Sequence, residues 1–85
     1  MPTRTIVVGA SIGLHARPAQ IISEAVEALD AEVFIGRPGE EPVDASSSLL
    51  IMTLGAGPGD QVLVSSDDEA ALDAIARLVA EDLDG

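Results

Sequence analysis

The only histidine of the chain, His15, lies between a glycine-containing loop and a segment with helical periodicity. Arg17 follows it by two positions, Pro18 comes next, and Gly13 precedes it by two positions. A neutral imidazole is a nucleophile near neutral pH, and a guanidinium can bind two phosphate oxygens at once. These residue types in one short segment predict that the imidazole accepts a phosphoryl group.

The position of this segment at the start of a helix favours the same chemistry. The first amides of an α-helix have no intrahelical partner, and the terminus carries about half a positive charge, so anions bind there. With His15 as the N-cap, the amides of Ala16 and Arg17 would point toward a group carried by the ring. Pro18 suits the first turn because no amide is needed there, and Gly13 permits a tight turn beside the ring. The alternatives are that His15 only caps or packs and that Arg17 is a solvated surface charge.

Composition excludes several other kinds of site. The chain has no cysteine, which excludes disulfides, thiolate metal sites and a cysteine nucleophile. Its single aromatic residue, Phe34, provides no base-stacking platform, and a net charge of −11 is the opposite of what nucleic acid binding needs. No second catalytic base, metal cluster or phosphate loop accompanies His15, so we expect no metal, no cofactor and no independent turnover.

The excess of negative charge itself has two explanations. Fifteen acidic residues face four arginines and no lysine, and the net charge exceeds the range of about 2 to 8 that keeps a small domain soluble. One explanation is adaptation to a saline cytoplasm, in which salt screens the repulsion between carboxylates. The other is an ordinary acidic protein from an arginine-rich, lysine-poor genome.

Length and hydropathy predict one small folded domain spanning residues 1–85. Hydrophobic residues make up 47% of the chain, which is too apolar for a disordered tail. Residues 1–10 lack the features of a signal peptide, and the longest charge-free stretch, 45–59, is too short and too polar to cross a bilayer. We therefore expect a soluble cytoplasmic protein without membrane insertion.

Hydrophobic patterning and turn residues divide the chain into four strands and three helices. Strands are predicted at residues 4–8, 32–36 and 61–66, and a brief one begins at Val43. Helices are predicted at 16–29, in a serine-led segment from 46 that ends at Gly55, and after a cap at Ser66 or Asp67, with an apolar face formed by Leu72, Ile75, Ala76, Val79 and Leu83. The order βαββαβα predicts the α+β class, with an antiparallel sheet covered by helices on one face. Periodicity does not predict which strands are neighbours.

The segment GLHARPA, residues 13–19, resembles the active-site motif of HPr, the histidine-containing phosphocarrier family of the phosphoenolpyruvate-dependent sugar phosphotransferase system. The resemblance covers the whole chain, because the length, the element order, the serine-led segment ending at Leu54 and Gly55, and the final helix agree with it. It implies an open-faced β-sandwich with a four-stranded antiparallel sheet. It also implies that His15 accepts a phosphoryl group at Nδ1 from enzyme I and passes it to an enzyme IIA domain for sugar uptake. We expect this carrier to be a monomer.

A second site is implied by the resemblance alone. Many members of the family carry a regulatory serine at the start of the short helix, which a dedicated HPr serine kinase phosphorylates. Counting back from Leu54 and Gly55 places this serine at Ser47. The alternatives are that Ser46 is the modified residue, or that Ser46, Ser47 and Ser48 only cap the helix and keep it soluble.

Partner docking is expected around His15, through apolar residues that surround the site and one polar residue of the first helix. These are Leu14, Gln20, Leu49, Leu50 and Met52. For the last three, the alternative is ordinary helix core, of which about half should be buried. The first helix carries Glu24 and Glu27 where many family members have lysines, which leaves the identity of the partners open.

Four other functions compete with a carrier for sugar uptake. Two use the same chemistry in another branch, namely phosphoryl supply to dihydroxyacetone kinase or a nitrogen-related relay. A third is a regulatory binding module that acts through Ser47 without carrying phosphate, against which the presence of both His15 and Arg17 argues. The fourth, a small-molecule sensor, would need a polar ligand pocket that the sequence does not indicate.

Overall fold

The computed structural model describes residues 1–83 and has seven elements in the predicted order βαββαβα. The strands are β1 (Thr3–Val7), β2 (Phe34–Gly36), β3 (Val43–Asp44) and β4 (Gln61–Ser65). The helices are α1 (Ala16–Leu29), α2 (Ser48–Thr53) and α3 (Glu69–Ala80). Among the described residues, no helix is long and apolar enough to cross a membrane.

The four strands form one antiparallel sheet in the order β1-β4-β2-β3. The last strand therefore lies between the first two, with Ile6 opposite Val62 and Ile35 opposite Val64. These long-range pairs bring the end of β1, and the loop that leads from it to α1, next to the loop that precedes β4. The neighbourhood of His15 is thus built from segments far apart in the sequence.

The three helices cover one face of this sheet, as predicted for an open-faced sandwich. Val62 and Val64 point into the core from β4 and are fully buried. Helix α1 contributes Ala19, Ile22 and Val26 from one side, because apolar residues three and four positions apart share a helix face. The remaining large buried side chains come from the other elements and include Val33, Ile35, Ile51, Leu72, Ile75 and Val79.

Several predicted boundaries need correction. Helix α3 is capped by Asp68, whose carboxylate accepts the amide of Ala71 at 3.1 Å, and not by Ser66 or Asp67. Ser66 is buried and its hydroxyl donates to the main chain of Glu32 instead. Leu83 lies beyond the helix, half-buried against the core. The strands differ from their predicted bounds by one or two residues, because pairing partners rather than β-propensity end them.

The bounds of α1 agree with the prediction at both ends. Asp30 ends the helix in the left-handed conformation with φ of 52°, and its amide donates to the carbonyl of Glu27. Aspartate tolerates this conformation better than most residues, which is why the helix can end without glycine. At its other end, the N-terminus of α1 and His15 directly follow the β1–α1 loop.

Candidate functional site

His15 is the N-cap of α1, as the sequence predicts. Its main chain is extended, with φ of −88° and ψ of −164°, and its carbonyl accepts the first helical hydrogen bond from the amide of Ala19 at 3.0 Å. The side chain makes no capping hydrogen bond and is half-exposed. The imidazole therefore does not cap the helix through a hydrogen bond. Of the two non-catalytic explanations for this histidine, capping and packing, capping by the side chain is thereby excluded.

The first amides of α1 are available to an anion. Within residues 1–83, neither the amide of Ala16 nor that of Arg17 has a hydrogen-bond acceptor, and Pro18 has no amide to satisfy. The Arg17 side chain is exposed and forms no salt bridge in this part of the chain. The helix terminus thus combines two amide donors without an acceptor in residues 1–83, the positive end of the helix dipole and an exposed guanidinium.

The segment before His15 is held against the loop that follows α2. The amide of Leu14 donates to the carbonyl of Ala56 at 2.9 Å, and the amide of His15 donates to the carbonyl of Gly13 at 2.9 Å. Gly13 has φ of +93°, and a Cβ atom at this position would lie 2.6 Å from the Ala56 oxygen. Only glycine fits here, both because of its conformation and because of the close approach of the two chains.

Two charged residues that the sequence analysis does not single out hold the second loop. The Arg37 guanidinium donates to the carbonyls of Gly55 at 3.0 Å and Leu54 at 3.4 Å, and it lies 3.5 Å from the carboxylate of Asp60. The same Asp60 oxygen accepts the amide of Gly57 at 2.9 Å. The glycine-rich stretch at 55–59 signals a loop, but nothing local indicates that Arg37 reaches it.

A shallow concave surface connects α1 with the start of α2, next to the helix terminus. It brings together several residues predicted separately, and its lining consists of Ala16, Gln20, Ser23, Glu24, Glu27, Ser46, Ser47, Ser48, Leu49 and Met52. Glu24 accepts a hydrogen bond from the Gln20 amide group at 3.1 Å, and both Glu24 and Glu27 are exposed. The charged residues that line this surface, Glu24 and Glu27, are therefore both acidic.

The predicted docking residues differ widely in exposure. Leu49 is 69% exposed and Leu50 is 40% exposed, whereas Met52 is half-buried. Leu14 is only 4% exposed, so its prediction as a docking residue is wrong: its side chain packs in the core under the loop. Ile12, which is 68% exposed, is the apolar side chain that the β1–α1 loop presents instead.

Ser46 and Ser47 have different hydrogen bonds. The Ser46 amide and hydroxyl both donate to Asp44, at 2.9 and 2.7 Å, and hold the pKa of that carboxyl below its usual range. Ser47 is the N-cap of α2, and its hydroxyl oxygen accepts the amide of Leu50 at 3.2 Å. Capping by Ser47 is thus observed, which accounts for this serine without any modification.

No group of three or more histidine, aspartate and glutamate side chains in the described part of the chain could hold a metal ion. The groups that the structure brings together at the start of α1 are the imidazole of His15, the first amides of the helix and the side chain of Arg17.

This chain is similar to known proteins both in sequence and in structure. The family model described as "PTS HPr component phosphorylation site" matches residues 2–81. A protein named "Phosphocarrier protein HPr" from Streptomyces coelicolor is 42% identical to this chain, with 99% of the chain and 94% of that protein covered. Another of the same name from Haloferax volcanii is 41% identical, with 91% of each covered.

The same likeness extends to three dimensions. The crystal structure of a phosphocarrier protein HPr from Bacillus anthracis superposes with a TM-score of 0.81 at 33% identity, covering 92% of this chain and 95% of that one. The sheet order and the placement of the three helices are therefore shared with a solved structure and not specific to this sequence.

Proposed function

Because the chain belongs to the HPr family of phosphocarriers of the phosphotransferase system, we propose that His15 accepts a phosphoryl group from a phosphohistidine of enzyme I. We further propose that it passes this group to a histidine of an enzyme IIA domain in the cytoplasm, as part of sugar uptake. The protein acts as a monomeric carrier that is covalently modified and restored in each cycle.

The transfer exchanges one phosphohistidine for another. The lone pair of Nδ1 of His15 attacks the phosphorus, so that a new P–N bond forms while the P–N bond to the donor imidazole breaks. The donor ring leaves with its electron pair, and the ring proton of His15 stays on Nε2. Because bonds of the same kind form and break, little free energy is lost and the step is reversible.

The observation that best supports this proposal is the position of His15 as the N-cap of α1, beside the amides of Ala16 and Arg17, which have no acceptor within residues 1–83. Nδ1 is the ring nitrogen nearer to the main chain, so a phosphoryl group on it lies toward the amides of Ala16 and Arg17. These donors are in place before the reaction and stabilise the charge on the transferring group without reorganisation. Arg17 adds a side chain that can follow the phosphoryl oxygens as they move.

We propose that partners dock on the surface that surrounds this terminus. The exposed leucines Leu49 and Leu50, with the half-buried Met52, supply the apolar contact. Gln20 lines the same concave surface as Leu49 and Met52. Glu24 and Glu27 make the same surface acidic, so the partner surface must offer cations there.

We also propose a regulatory role for Ser47. A phosphate on its hydroxyl would add about −1.5 to −2 charges to a surface that already carries Glu24 and Glu27. Because Ser47 lies beside the apolar contact at Leu49, docking would have to desolvate this charge, and that cost would disfavour a partner more than the charge would disturb α2. The modifying partner would be an HPr serine kinase.

Intact-mass measurement after incubation with phosphoenolpyruvate and the cognate enzyme I tests the carrier role. We expect one acid-labile phosphate on the wild type and none on His15→Ala. Arg17→Ala should still be phosphorylated, about 10- to 100-fold more slowly, which corresponds to the loss of one charge-assisted hydrogen bond. Arg77→Ala is the matched control, because it removes another exposed arginine, which lies on helix α3 and not on α1, and it should react at the wild-type rate.

The same experiment separates the competing functions. Phosphorylation of His15→Ala to the wild-type level would refute the assignment of the phosphoryl acceptor. An acid-stable phosphate that persists in His15→Ala and is lost in Ser47→Ala would favour a regulatory binding module. Adding purified enzyme IIA domains to the phosphorylated protein then identifies the branch, since only a true acceptor removes the label from His15.

A further inference from the structure

Arg37 satisfies the end of a helix that lies far from it in sequence. It follows β2 directly, at the start of the turn to β3, where its own carbonyl accepts the amide of Glu40 at 3.0 Å. Its side chain crosses to the end of α2 and donates to the carbonyls of Leu54 and Gly55, which follow the last helical residue. Cations are favourable at this end of a helix because the last carbonyls there lack partners.

Asp60 joins the same cluster from the other end of the loop. Its carboxylate lies 3.5 Å from the Arg37 guanidinium and accepts the amide of Gly57 at 2.9 Å. Its carbonyl accepts the amide of Val8 at 2.8 Å, so its main chain is anchored to the end of β1. The ion pair of Arg37 and Asp60 therefore holds the residue before Ala56 and the residue after it.

Ala56 is the point at which this loop meets the active-site segment. Its carbonyl accepts the amide of Leu14 at 2.9 Å, and Gly13 packs directly against it. Leu14 is the residue immediately before His15. A chain of direct contacts thus runs from the ion pair through the two neighbours of Ala56 to the main chain that leads into His15.

The loop needs such an anchor because it is rich in glycine and only Pro58 stiffens its main chain. Gly55, Gly57 and Gly59 alternate through it, and glycine has more main-chain freedom to lose than any other residue. Phosphoryl transfer in turn needs the attacking nitrogen in line with the phosphorus at close range, and a displacement of about 1 Å can lower the rate about 100-fold.

We propose that the ion pair of Arg37 and Asp60 is a positioning device for His15, which fixes Ala56 from both sides and thereby holds Gly13 and Leu14 in place. Neither residue touches the phosphoryl group. The anchoring of the loop rests on the observed contacts alone, whereas the effect on phosphoryl transfer rests on the proposed function.

The test uses Arg37→Ala and Asp60→Asn, with Arg4→Ala as the matched control. Arg4→Ala removes the same charge and also breaks an ion pair, the one between Arg4 and Asp73 that links β1 to α3. Hydrogen exchange and amide chemical shifts of the unphosphorylated proteins report on the loop without any partner. Initial rates with enzyme I, measured over a range of carrier concentrations, separate kcat from KM.

We expect the Leu14 amide to exchange about 10-fold faster in Arg37→Ala and Asp60→Asn, with shifted resonances for Gly13, Leu14 and His15. In the same variants kcat should fall about 10-fold while KM stays near the wild-type value. Arg37→Lys, which keeps the charge but not the forked donor, should recover part of the loss. Arg4→Ala should match the wild type in Leu14 exchange and in kcat.

Unchanged exchange of Leu14 in both variants would overturn the proposed anchoring. Faster exchange with a wild-type kcat would show that the anchor does not position His15. A raised KM with unchanged Leu14 exchange would make Arg37 a docking residue instead.

If Arg37→Ala does not fold, the result for Asp60→Asn still decides between these outcomes, because asparagine keeps an oxygen that can accept the Gly57 amide. If the wild type accepts no phosphate, the proposed function fails, and the exchange data still judge the anchor.

Discussion

The hydroxyl of Ser66 donates a 2.7 Å hydrogen bond to the carbonyl of Glu32, 34 positions earlier in the chain. The same oxygen accepts the amide of Asp68 at 3.1 Å, so one buried hydroxyl joins the α1–β2 connection to the start of α3. Two segments with no local relationship are thereby held in register at the end of the molecule where α1 ends.

Replacing Ser66 with alanine should destabilise the protein. The change removes two part-buried hydrogen bonds, one to the Glu32 carbonyl and one from the Asp68 amide, each of which contributes about 0.5 to 1.5 kcal/mol. Urea unfolding measures the free energy directly. Ser65→Ala is the control, because Ser65 is only half-buried and its hydroxyl bonds to the exposed Thr3 hydroxyl. Equal losses in the two variants would contradict the role assigned to Ser66.

Gly13→Ala should damage both stability and phosphoryl transfer. Its φ of +93° strains any other residue, and its Cβ atom would also collide with the Ala56 carbonyl. Gly39→Ala isolates the first effect, because Gly39 has φ of +81° with nothing near its Cβ position. We expect a loss of about 1 to 2 kcal/mol for Gly39→Ala and a larger one for Gly13→Ala. A transfer rate in Gly13→Ala equal to that of Gly39→Ala would be evidence against the close packing of Gly13 on Ala56.

Two substitutions at Ser47 separate capping from regulation. Ser47→Ala loses the hydrogen bond to the Leu50 amide and should cost about 1 kcal/mol of stability while leaving transfer near normal. Ser47→Asp keeps an N-cap oxygen but places a charge beside the apolar contact at Leu49, where docking would have to desolvate it, so it should keep stability and raise KM for enzyme I. Thermal melts and initial rates distinguish the two. An unaltered KM in Ser47→Asp would argue against control of docking by charge at this position.

The melting temperature should rise with salt. At a net charge of −11 the folded chain repels itself, and the Debye length falls from about 10 Å at 0.1 M salt to about 3 Å at 1 M. A KCl series monitored by circular dichroism measures the slope. The variant with both Glu24→Gln and Glu27→Gln removes two of the negative charges and should show a shallower slope. A flat melting temperature would exclude the saline-cytoplasm explanation and leave that of an arginine-rich genome.

The order of elements and the position of His15 at a helix start were open to prediction because both depend on short-range properties. Apolar residues at helical spacing define α1, and Pro18 near its start and the serines before α2 mark helix N-termini. The cap of α3 was not predictable in the same way. Three polar residues precede that helix, and any of them is a possible cap. Ser66 does not cap it because its hydroxyl donates to the carbonyl of Glu32, which is distant in sequence.

The sequence by itself therefore determined the elements, the fold class and the position of a histidine at a helix terminus. The tertiary structure decided which leucines remain outside and what holds the site. Leu14 and Leu49 are both leucines near the start of a helix, yet one is buried and the other is exposed. Arg37 and Asp60 meet through the order β1-β4-β2-β3. Strand pairing and burial depend on contacts between distant segments, and periodicity, which is a local property, carries no information about them.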